Sequence, residues 1–403
     1  MNIGIIHEGK VPQDRRVPLT PIQCKLIQEQ YPGLKIIVQP SPHRCYTNRE
    51  YETFGIELNE NLEECQALLG VKEVPVNDLI SNKTYFMFSH TIKKQSYNRD
   101  LLRAIMNKNI RLIDWECLKD QKDQRVIAFG RWAGIVGAYN GLKTWGDRTS
   151  AYQLPPMHQM KDFDESKNVL KKTKFEKFKV VLTGDGRVGN GARETLDLAS
   201  IKRLSSSEFL EYNGDEAVYA QLGVADMYSL PGSNNFDQEH YFRNPEEYES
   251  IFEPYTKQSD LMINGIYWDK RVPKFFSSED MKSPDFRIKA IADITCDIAP
   301  DASIPSTLRA SEINDPVYGY DVNEKIETKA FQEGAIDVMA VDNLPNELPR
   351  DASADFGKQF IQYVLPELLK DEKSEMIHEA TICKNGKLND PFEYLWDYVH
   401  ESV

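Results

Sequence analysis

The sequence predicts an α/β protein with two domains, each built on a mostly parallel sheet. Its 403 residues exceed the usual size of one domain. Through the first third, short apolar runs alternate with longer amphipathic stretches, which is typical of βαβ units. Near residue 184, another apolar run leads through closely spaced glycines into a helical pattern, which indicates a second set of such units.

The composition favours small-molecule ligands over nucleic acid or membranes. Lys and Arg number 49 against 63 Asp and Glu, which leaves a net charge of −14, whereas nucleic acids and anionic lipids select basic faces. No run of 18 apolar residues offers a membrane span, and charged residues follow the start too soon for a secretory signal. We therefore expect a cytoplasmic protein with small-molecule partners, no nucleic acid and no membrane. A homo-oligomer is compatible with these features.

The cysteines indicate reduced thiols. No two form a CxxC pair, and no Cys/His cluster has zinc spacing. In a chain of this length they are typical of buried thiols in a cytosolic protein, and we predict no metal site. The six are Cys24, Cys45, Cys65, Cys117, Cys296 and Cys383.

Strand and helix patterns alternate in the first third of the chain. The stretches 21–31 and 97–107 have helical character. Because strands joined through helices pair in parallel, we expect a sheet that is covered on both faces. The predicted strands are residues 3–6, 35–39, 67–71, 84–88, 110–114 and 126–129.

A glycine-rich helix is predicted at 130–142. Its glycines lie at 130, 134, 137 and 141, a spacing that lines one helical face. A face without side chains lets a helix approach another backbone closely, so we interpret this segment as a tightly packed helix between the domains. The polar, lysine-rich stretch 151–176 is interpreted as a connection over the surface.

The glycines near residue 184 form a dinucleotide-binding fingerprint, G-x-G-x-x-G, between a predicted strand and a predicted helix. The first glycine permits the tight turn, the second lets the backbone approach a pyrophosphate, and the third allows close helix–strand packing. The helix N-terminus then offers N–H groups to the phosphates. A purely structural glycine turn is the alternative. The predicted pyrophosphate-binding residues are Gly184, Gly186, Arg187, Val188 and Gly189.

The choice between NAD and NADP depends on the end of the next predicted strand, 201–205. The fingerprint usually places a carboxylate there, which binds the ribose 2′-hydroxyl and repels a 2′-phosphate. This strand ends instead in Ser205, with Arg203 nearby. The pattern favours NADP, but NAD stays open because Glu208 or Glu211 could reach the ribose.

Later segments are expected to complete the second sheet and to end in a core helix. Apolar strands are predicted at 260–265 and 288–294, and the aromatic, acidic stretch 215–255 is expected to form an elaborated surface. Apolar residues recur at helical spacing between 356 and 368, which is typical of a core stripe. Pro366 is expected to kink this helix.

Four reactive side chains follow predicted strands of the first domain. They are Arg16, Lys72, His90 and Glu116. Taken singly, each has an ordinary interpretation as a surface or satisfied polar residue. Ligands of open parallel sheets lie beyond the carboxyl ends of the strands. Because the four side chains fall at one such edge, we predict a ligand-binding site there.

Seven motifs occur in order along the chain. They are DRRVPLTP at 14–21, LGVKE at 69–73, FSHTIK at 88–93, RLIDWE at 111–116, AFGRWAG at 128–134, INGIYW at 263–268 and VDNLP at 341–345. Together they resemble the saccharopine dehydrogenases of the lysine-forming type. The likeness is strongest to the lysine–ketoglutarate reductase half of aminoadipic semialdehyde synthase, and alanine dehydrogenase is a more distant relative. It extends from about residue 3 to about residue 395.

The resemblance implies a fold of two Rossmann-like domains whose parallel sheets face each other across a cleft. It places a discontinuous substrate and catalytic domain at 1–134 and 343–403. The dinucleotide-binding domain then occupies 135–342.

The resemblance also implies a reaction, in which L-lysine, 2-oxoglutarate and NAD(P)H give saccharopine, NAD(P)⁺ and water, in either direction. The family's catalytic lysine and histidine match Lys72 and His90. Positions that match substrate-binding residues are Arg16, Glu73, Glu116 and Arg131, and those on the ribose and nicotinamide side are Asn264, Ile266, Asp293 and Asp342.

Two alternatives stay open. A related amino-acid dehydrogenase, similar to alanine dehydrogenase, would use the same lysine and histidine on another amino acid or oxo acid. A nucleotide-binding regulator would keep the fold without turnover. The region of Trp132 and the stretch 264–268 favour the saccharopine group over the first alternative. The intact Arg16, Lys72 and His90 argue against the second.

Overall fold

The computed structural model divides the chain into two compact units. The first combines Met1–Phe129 with the segment that begins at Pro349, and the second is Gly130–Leu348. Each unit contains one eight-stranded, mostly parallel sheet, which confirms the predicted α/β class. The structure describes residues 1–233, 235–370 and 373–400. In these ranges, no helix is both long and apolar enough to cross a membrane.

The N-terminal part of the first unit alternates strands with helices. Its strands are β1 (Asn2–Ile5), β2 (Lys35–Val38), β3 (Glu57–Leu58), β4 (Ala67–Leu69), β5 (Thr84–Met87) and β6 (Arg111–Asp114), and its helices are α1 (Pro21–Gln30), α2 (Asn48–Thr53) and α3 (Arg99–Asn107). The strands run in parallel in the order β3-β2-β1-β4-β5-β6, which is a doubly wound arrangement. Every residue of β4 is buried, as expected for a strand covered on both faces.

Local signals define where α1 begins. Thr20 is its N-cap, and its side chain forms a capping box with Gln23. Pro21 occupies the first turn, where its missing N–H costs nothing. The helix therefore starts as the sequence predicts.

The predicted strand at 126–129 is wrong. The structure has no strand there, although Ile127 and Phe129 are buried. Phe129 stacks on the ring of Phe356 at 4.4 Å between centroids. These apolar residues are therefore buried by packing against a helix, without sheet pairing.

The second unit carries the remaining parallel sheet. Its strands are β7 (Lys179–Thr183), β8 (Lys202–Leu204), β9 (Val218–Leu222), β10 (Tyr228–Ser229), β11 (Glu249–Ser250), β12 (Leu261–Asn264), β13 (Ala290–Asp293), β14 (Val317–Asp321), β15 (Ile326–Thr328) and β16 (Ala335–Met339). Its helices are α4 (Gly130–Thr149), α5 (Phe163–Lys172), α6 (Arg187–Leu198), α7 (Ser206–Glu211), α8 (Val224–Met227), α9 (Gln238–Arg243) and α10 (Glu253–Gln258). The order of the large sheet is β15-β14-β16-β13-β12-β7-β9-β8. In it, β14 pairs antiparallel with both of its neighbours, β15 and β16.

The predicted elaborated surface at 215–255 is wrong for part of that stretch, because residues 217–220 are buried whereas residues 235–240 are not. The stretch contains β9, which pairs in parallel with β7 on one side and β8 on the other. Its aromatic residues, such as Phe252 and Tyr241, are buried in the core of the second unit. The acidic residues between them hide the apolar pattern from a sequence reading.

The glycine face of α4 packs against α6 inside the second unit. A Cβ on Gly134 would lie 1.9 Å from the carbonyl oxygen of Val188, and one on Gly191 would lie 2.1 Å from that of Arg131. The spacing of glycines thus marks a helix crossing too close for side chains. The connection after α4 also contains α5, which the sequence pattern does not reveal.

The C-terminal segment returns to the first unit. Its elements are α11 (Pro349–Gln359), a π-helical turn (Phe360–Val364), α12 (Leu365–Lys370), α13 (Glu375–Glu379), β17 (Thr381–Lys384), β18 (Lys387–Leu388) and α14 (Trp396–His400). β17 pairs antiparallel with β6 and extends the first sheet. The π-helical turn ends two residues before Pro366, so the helix accommodates the missing proline N–H with a local change of winding.

Candidate active site

The carboxyl ends of β1, β4, β5 and β6 meet at one edge of the first sheet, because these strands are parallel. The loops after them supply a group of charged side chains that we call the carboxyl-edge cluster. Its members are Glu8, Lys10, Asp14, Arg16, Lys72, Glu73 and His90. The structure thus places three of the four predicted strand-end residues in one cluster.

Arg16 is held by Asp14. The Nε and Nη2 atoms of Arg16 donate to the two carboxylate oxygens of Asp14 at 3.0 and 2.6 Å, and both residues are buried. The guanidinium also lies 4.2 Å from the ring centroid of Phe129. Burial alone would raise the pKa of Asp14, but the Arg16 guanidinium outweighs it and lowers that pKa to about 2. Arg16 therefore presents a fixed positive charge.

Lys72 lies beside this pair. Burial, followed by repulsion from the Arg16 guanidinium, lowers the pKa of the Lys72 amine. Within the described part of the chain, its Nζ has no hydrogen-bond or ion-pair partner. An amine with a lowered pKa is suited to exchange protons near neutral pH.

Glu8 positions the backbone of Lys72, and sequence patterns did not single it out. The N–H groups of Val71 and Lys72 donate to Glu8 Oε1 and Oε2 at 2.7 and 2.8 Å. Burial, followed by repulsion from Asp14, raises the pKa of Glu8 to about 8. The signal that could have found it is its position directly after the first strand, on the same edge as Lys72.

His90 is paired with Glu73. Its Nδ1 lies 2.6 Å from Glu73 Oε1, and Lys10 Nζ lies 2.8 Å from Glu73 Oε2. Burial would raise the pKa of Glu73, but His90 and then Lys10 lower it to about 2. An ionised Glu73 only accepts hydrogen bonds, so Nδ1 carries a hydrogen, and in the neutral form of the ring Nε2 has the lone pair. Nε2 is then the atom able to accept a proton.

Glu116 lies at the same edge, after β6. Its Oε1 is 3.5 Å from Arg125 Nη1 and its Oε2 is 3.9 Å from Lys93 Nζ. The neighbouring Asp114 is fully buried and accepts hydrogen bonds from the backbone N–H and the side chain of Ser89. This contact ties the end of β5, and with it His90, to the end of β6.

Arg131 belongs to the other unit. It lies on α4, where its Nε and Nη2 donate to Glu194 of α6 at 2.9 and 2.8 Å. Its predicted part in substrate binding stays a prediction.

In the second unit, the glycine fingerprint joins β7 to α6. Gly184 has a φ of +92° and a Cβ there would lie 2.7 Å from the carbonyl oxygen of Gly265, while a Cβ on Gly189 would lie 2.0 Å from the carbonyl oxygen of Gly184. Gly186 has open space around it and caps α6, whose first residue is the exposed Arg187. The turn thus has the backbone geometry that a pyrophosphate cradle needs.

Asn264 and Asp293 brace the ends of β12 and β13. Asn264 Nδ2 donates to Asp293 Oδ1 and to Ser303 Oγ, both at 2.9 Å. Asp293 also accepts from Thr295 and Thr307 at 2.6 Å, and burial raises its pKa. Their predicted part in cofactor binding stays a prediction, since both side chains are buried in this network.

Ile266 and Asp342 lie near the same sheet ends. Ile266 is buried just after β12, and Asp342 is exposed after Val341, which forms a bridge with Ser311. In the described ranges, no group of three or more His, Cys, Asp or Glu side chains is arranged to hold a metal ion.

Ser205 ends an edge strand, which the sequence did not predict. Because β9 lies between β7 and β8, the strand that borders the fingerprint strand is followed by Gly223, not by Ser205. Asp226 Oδ2 accepts from the Gly223 N–H at 2.9 Å, and a Cβ on Gly223 would lie 3.2 Å from Asp185 Oδ2. Ser205 itself caps α7 and contacts Glu208. Two carboxylates therefore occupy the end of the strand next to β7.

A family-model match and a solved structure agree with this fold. Residues 4–136 match the family model described as "Alanine dehydrogenase/PNT, N-terminal domain". A solved structure of L-alanine dehydrogenase aligns with a TM-score of 0.68 over 99% of this chain and 100% of that one, at 15% identity. At that identity the likeness concerns the fold, and it agrees with the two α/β units.

Two relatives of higher sequence identity indicate a narrower group of proteins. The chain is 31% identical to mouse alpha-aminoadipic semialdehyde synthase over 95% of its own length and 46% of that protein. It is 26% identical to a Candida glabrata saccharopine dehydrogenase [NAD(+), L-lysine-forming] over 96% of its own length and all of that protein. The chain therefore spans about half the length of the synthases it matches. It is a homologue of the lysine-forming saccharopine dehydrogenases and of these synthases, and the predicted resemblance is confirmed.

Proposed function

We propose that this protein condenses L-lysine with 2-oxoglutarate and reduces the product to saccharopine with a nicotinamide dinucleotide, or runs the reverse reaction. The observation that carries the proposal is the carboxyl-edge cluster, which combines a fixed guanidinium, an amine of lowered pKa and an imidazole oriented by a carboxylate. The similarity to L-lysine-forming saccharopine dehydrogenases supports the same reaction. The proposal covers this reaction and no other activity of the longer synthases.

Substrate binding begins with charge. 2-Oxoglutarate and saccharopine carry carboxylates, and Arg16 offers a buried positive charge that Asp14 keeps in place. Charge-assisted hydrogen bonds to a guanidinium are among the strongest that proteins make to carboxylates. Arg16 is thus the residue we expect to bind an acid group of the substrate.

The chemical steps require protons to move in both directions. The ε-amine of the substrate attacks the keto carbon, and His90 Nε2 accepts the proton that the nitrogen loses. Lys72 gives a proton to the keto oxygen, which becomes a hydroxyl, and His90 passes its proton to that hydroxyl, which leaves as water and gives a protonated imine. The cofactor supplies the hydride that reduces the imine carbon. Glu73 and Lys10 keep His90 in the tautomer that these steps need.

The second unit is the proposed site of the cofactor. The fit of a dinucleotide is supported by the fingerprint turn, where a side chain at position 184 or 189 would meet backbone and where α6 presents its N-terminus. Gly184, Gly186, Arg187, Val188 and Gly189 would hold the pyrophosphate.

NAD is the favoured cofactor, which reverses the sequence-based preference for NADP. That preference depended on Ser205 ending the strand beside β7, a position that belongs to β9. The carboxylates of Asp185 and Asp226 near Gly223 would repel a 2′-phosphate and could accept the ribose hydroxyls.

An alanine-dehydrogenase-like activity is the second candidate. It is favoured by one observation, the match of residues 4–136 to the alanine dehydrogenase/PNT domain. The two candidates differ in the amine that they use, lysine or ammonia, and in the oxo acid.

The test is a spectrophotometric assay of NADH oxidation. With 2-oxoglutarate present, L-lysine should support turnover and the other amino acids should not, and NADPH should be used less well than NADH. Saccharopine should be identified as the product by mass spectrometry. Turnover of pyruvate with ammonia, but not of 2-oxoglutarate with lysine, would contradict the proposal and favour the second candidate.

A further inference from the structure

A cavity with several polar side chains lies within the second unit. Its volume is about 400 Å³, a size at which small molecules are commonly bound. One face of α4 lines it through Asn140, Lys143, Thr144 and Asp147, and Glu347 lines it from the turn that follows β16. Among the described residues that line it, none belongs to the predicted catalytic, substrate or cofactor residues.

Glu347 is the notable group in this cavity, because its carboxylate is only 3% exposed. Its Oε1 accepts one hydrogen bond, from Asn140 Nδ2 at 2.6 Å. Its Oε2 lies 3.8 Å from His158 Nδ1, which is too far for a hydrogen bond. A buried carboxylate needs more compensation than one neutral amide provides.

The charges around Glu347 do not supply that compensation. Lys143 Nζ is paired with Asp147 at 2.6 Å, so its charge is already neutralised by a neighbour. Asp315 adds a further carboxylate to the lining. The other basic side chain of the lining is His158, 3.8 Å from Glu347 Oε2. The three carboxylates of Asp147, Asp315 and Glu347 still outnumber the two basic groups, so the cavity favours a cation.

Beside the polar side chains of Gln159 and Asn314, the lining has apolar walls. Ile313, Val317, Phe331 and Met339 contribute side chains to the walls. An ion such as sodium would gain nothing from these apolar walls. An ammonium group with a short hydrocarbon chain would contact both the carboxylates and the apolar walls.

We propose that this cavity binds a small primary alkylammonium compound. The ammonium group donates to Glu347 Oε2, and the hydrocarbon chain packs against Phe331 and Met339. This site is separate from the carboxyl-edge cluster and does not depend on the proposed reaction.

The test uses n-pentylammonium chloride with the full chain, in thermal denaturation and in isothermal titration calorimetry, against potassium chloride at equal ionic strength. The compound lacks a carboxylate, so Arg16 gives it no anchor. We expect a saturable heat and a melting temperature that rises with concentration. The neutral 1-pentanol should bind at least about tenfold more weakly, because it lacks the charge.

Two variants locate the site. Glu347→Gln keeps an oxygen for Asn140 but removes the charge, and it should weaken n-pentylammonium binding at least about tenfold. Ala330→Leu adds bulk to the cavity wall without touching the carboxylate, and it should also weaken binding. If Glu347→Gln fails to fold, Ala330→Leu decides the question.

Lys72→Met is the matched control in the first unit, and it should bind n-pentylammonium as the wild type does. The proposal is overturned if wild type shows no binding, if 1-pentanol binds equally well, or if both cavity variants bind like wild type. It is also overturned if Lys72→Met loses binding while Glu347→Gln keeps it.

Discussion

The carboxyl edges of the two sheets differ in the residues that their loops carry. At the first edge the loops carry titratable side chains that pair with one another, such as Asp14 with Arg16 and Glu73 with His90. At the second edge they carry glycine backbone, and the polar side chains of Asn264 and Asp293 are satisfied internally. Similar sheets can thus serve proton chemistry in one unit and backbone recognition of a ligand in the other.

The largest effect is expected from Lys72→Met and His90→Gln. Each removes a proton-exchanging group from the first edge, so kcat should fall about 10²- to 10⁴-fold. The Kd of NADH should stay near the wild-type value, because the fingerprint lies in the other unit. Turnover assays and NADH fluorescence titrations measure the two quantities separately. Equal loss of turnover and of NADH affinity in both variants would contradict this division of roles.

Gly189→Ala tests the second edge. Its Cβ would lie 2.0 Å from the carbonyl oxygen of Gly184, so the turn must shift and the free energy of unfolding should fall by about 1–3 kcal/mol. NADH should bind at least about tenfold more weakly.

Gly186→Ala sharpens this result. Open space surrounds that position, so the variant should keep its stability and lose NADH affinity through contact with the ligand alone. Denaturation curves and NADH titrations of both variants make the comparison. Normal NADH affinity in both would show that the turn does not bind the cofactor.

Asp226→Asn tests the choice of cofactor at the second edge. Removal of the negative charge should lower the preference for NADH over NADPH about tenfold. The control is Ser205→Asp, which should change the ratio little because β8 is the edge strand. The ratio of kcat/KM for the two cofactors is the measurement. If Ser205→Asp changed this ratio and Asp226→Asn did not, the ribose of the cofactor would lie at the end of β8.

The smallest effect concerns Glu8 and pH. Its pKa is raised to about 8, so between about pH 4.5 and about pH 8 the folded protein keeps a proton that the unfolded chain releases. The free energy of unfolding contributed by this group is therefore present below about pH 4.5 and is lost as pH rises through about 8. Glu8→Gln should make the decline of stability over this range shallower.

Urea denaturation at several pH values measures this dependence. Glu52→Gln, at an exposed position, is the control and should follow the wild-type curve. An unchanged slope in Glu8→Gln would mean that Glu8 ionises normally in the folded protein.

The sequence predicts the α/β class and most central strands because those strands are short apolar runs between helices. It also leads to Lys72 and His90, since each lies within two residues of the end of such a run. Asp226 is missed because β9 lies in a stretch whose acidic and aromatic residues obscure the strand. The predicted strand at 126–129 is wrong because an apolar run does not show what covers it. Packing against Phe356 requires the same apolar residues as burial in a sheet.

Local sequence patterns also do not predict which distant segments of the chain pair with each other. β17 is a short run near the C-terminus, and its place beside β6 depends on contacts with residues far away in the chain. The pairs Glu8 with the Lys72 backbone and Glu73 with His90 are of the same kind. Strand ends predict which edge such residues share, but the partners themselves depend on the loops.

The addition of β17 to β6 joins residues that are 270 positions apart, as in the contact between Arg111 and Thr381. On the ribosome, the Gly130–Leu348 unit is synthesised whole before β17. We therefore expect this inserted unit to fold first during translation. The edge of β6 stays unpaired until β17 has been synthesised. A nascent chain halted before β17 would present that edge to chaperones.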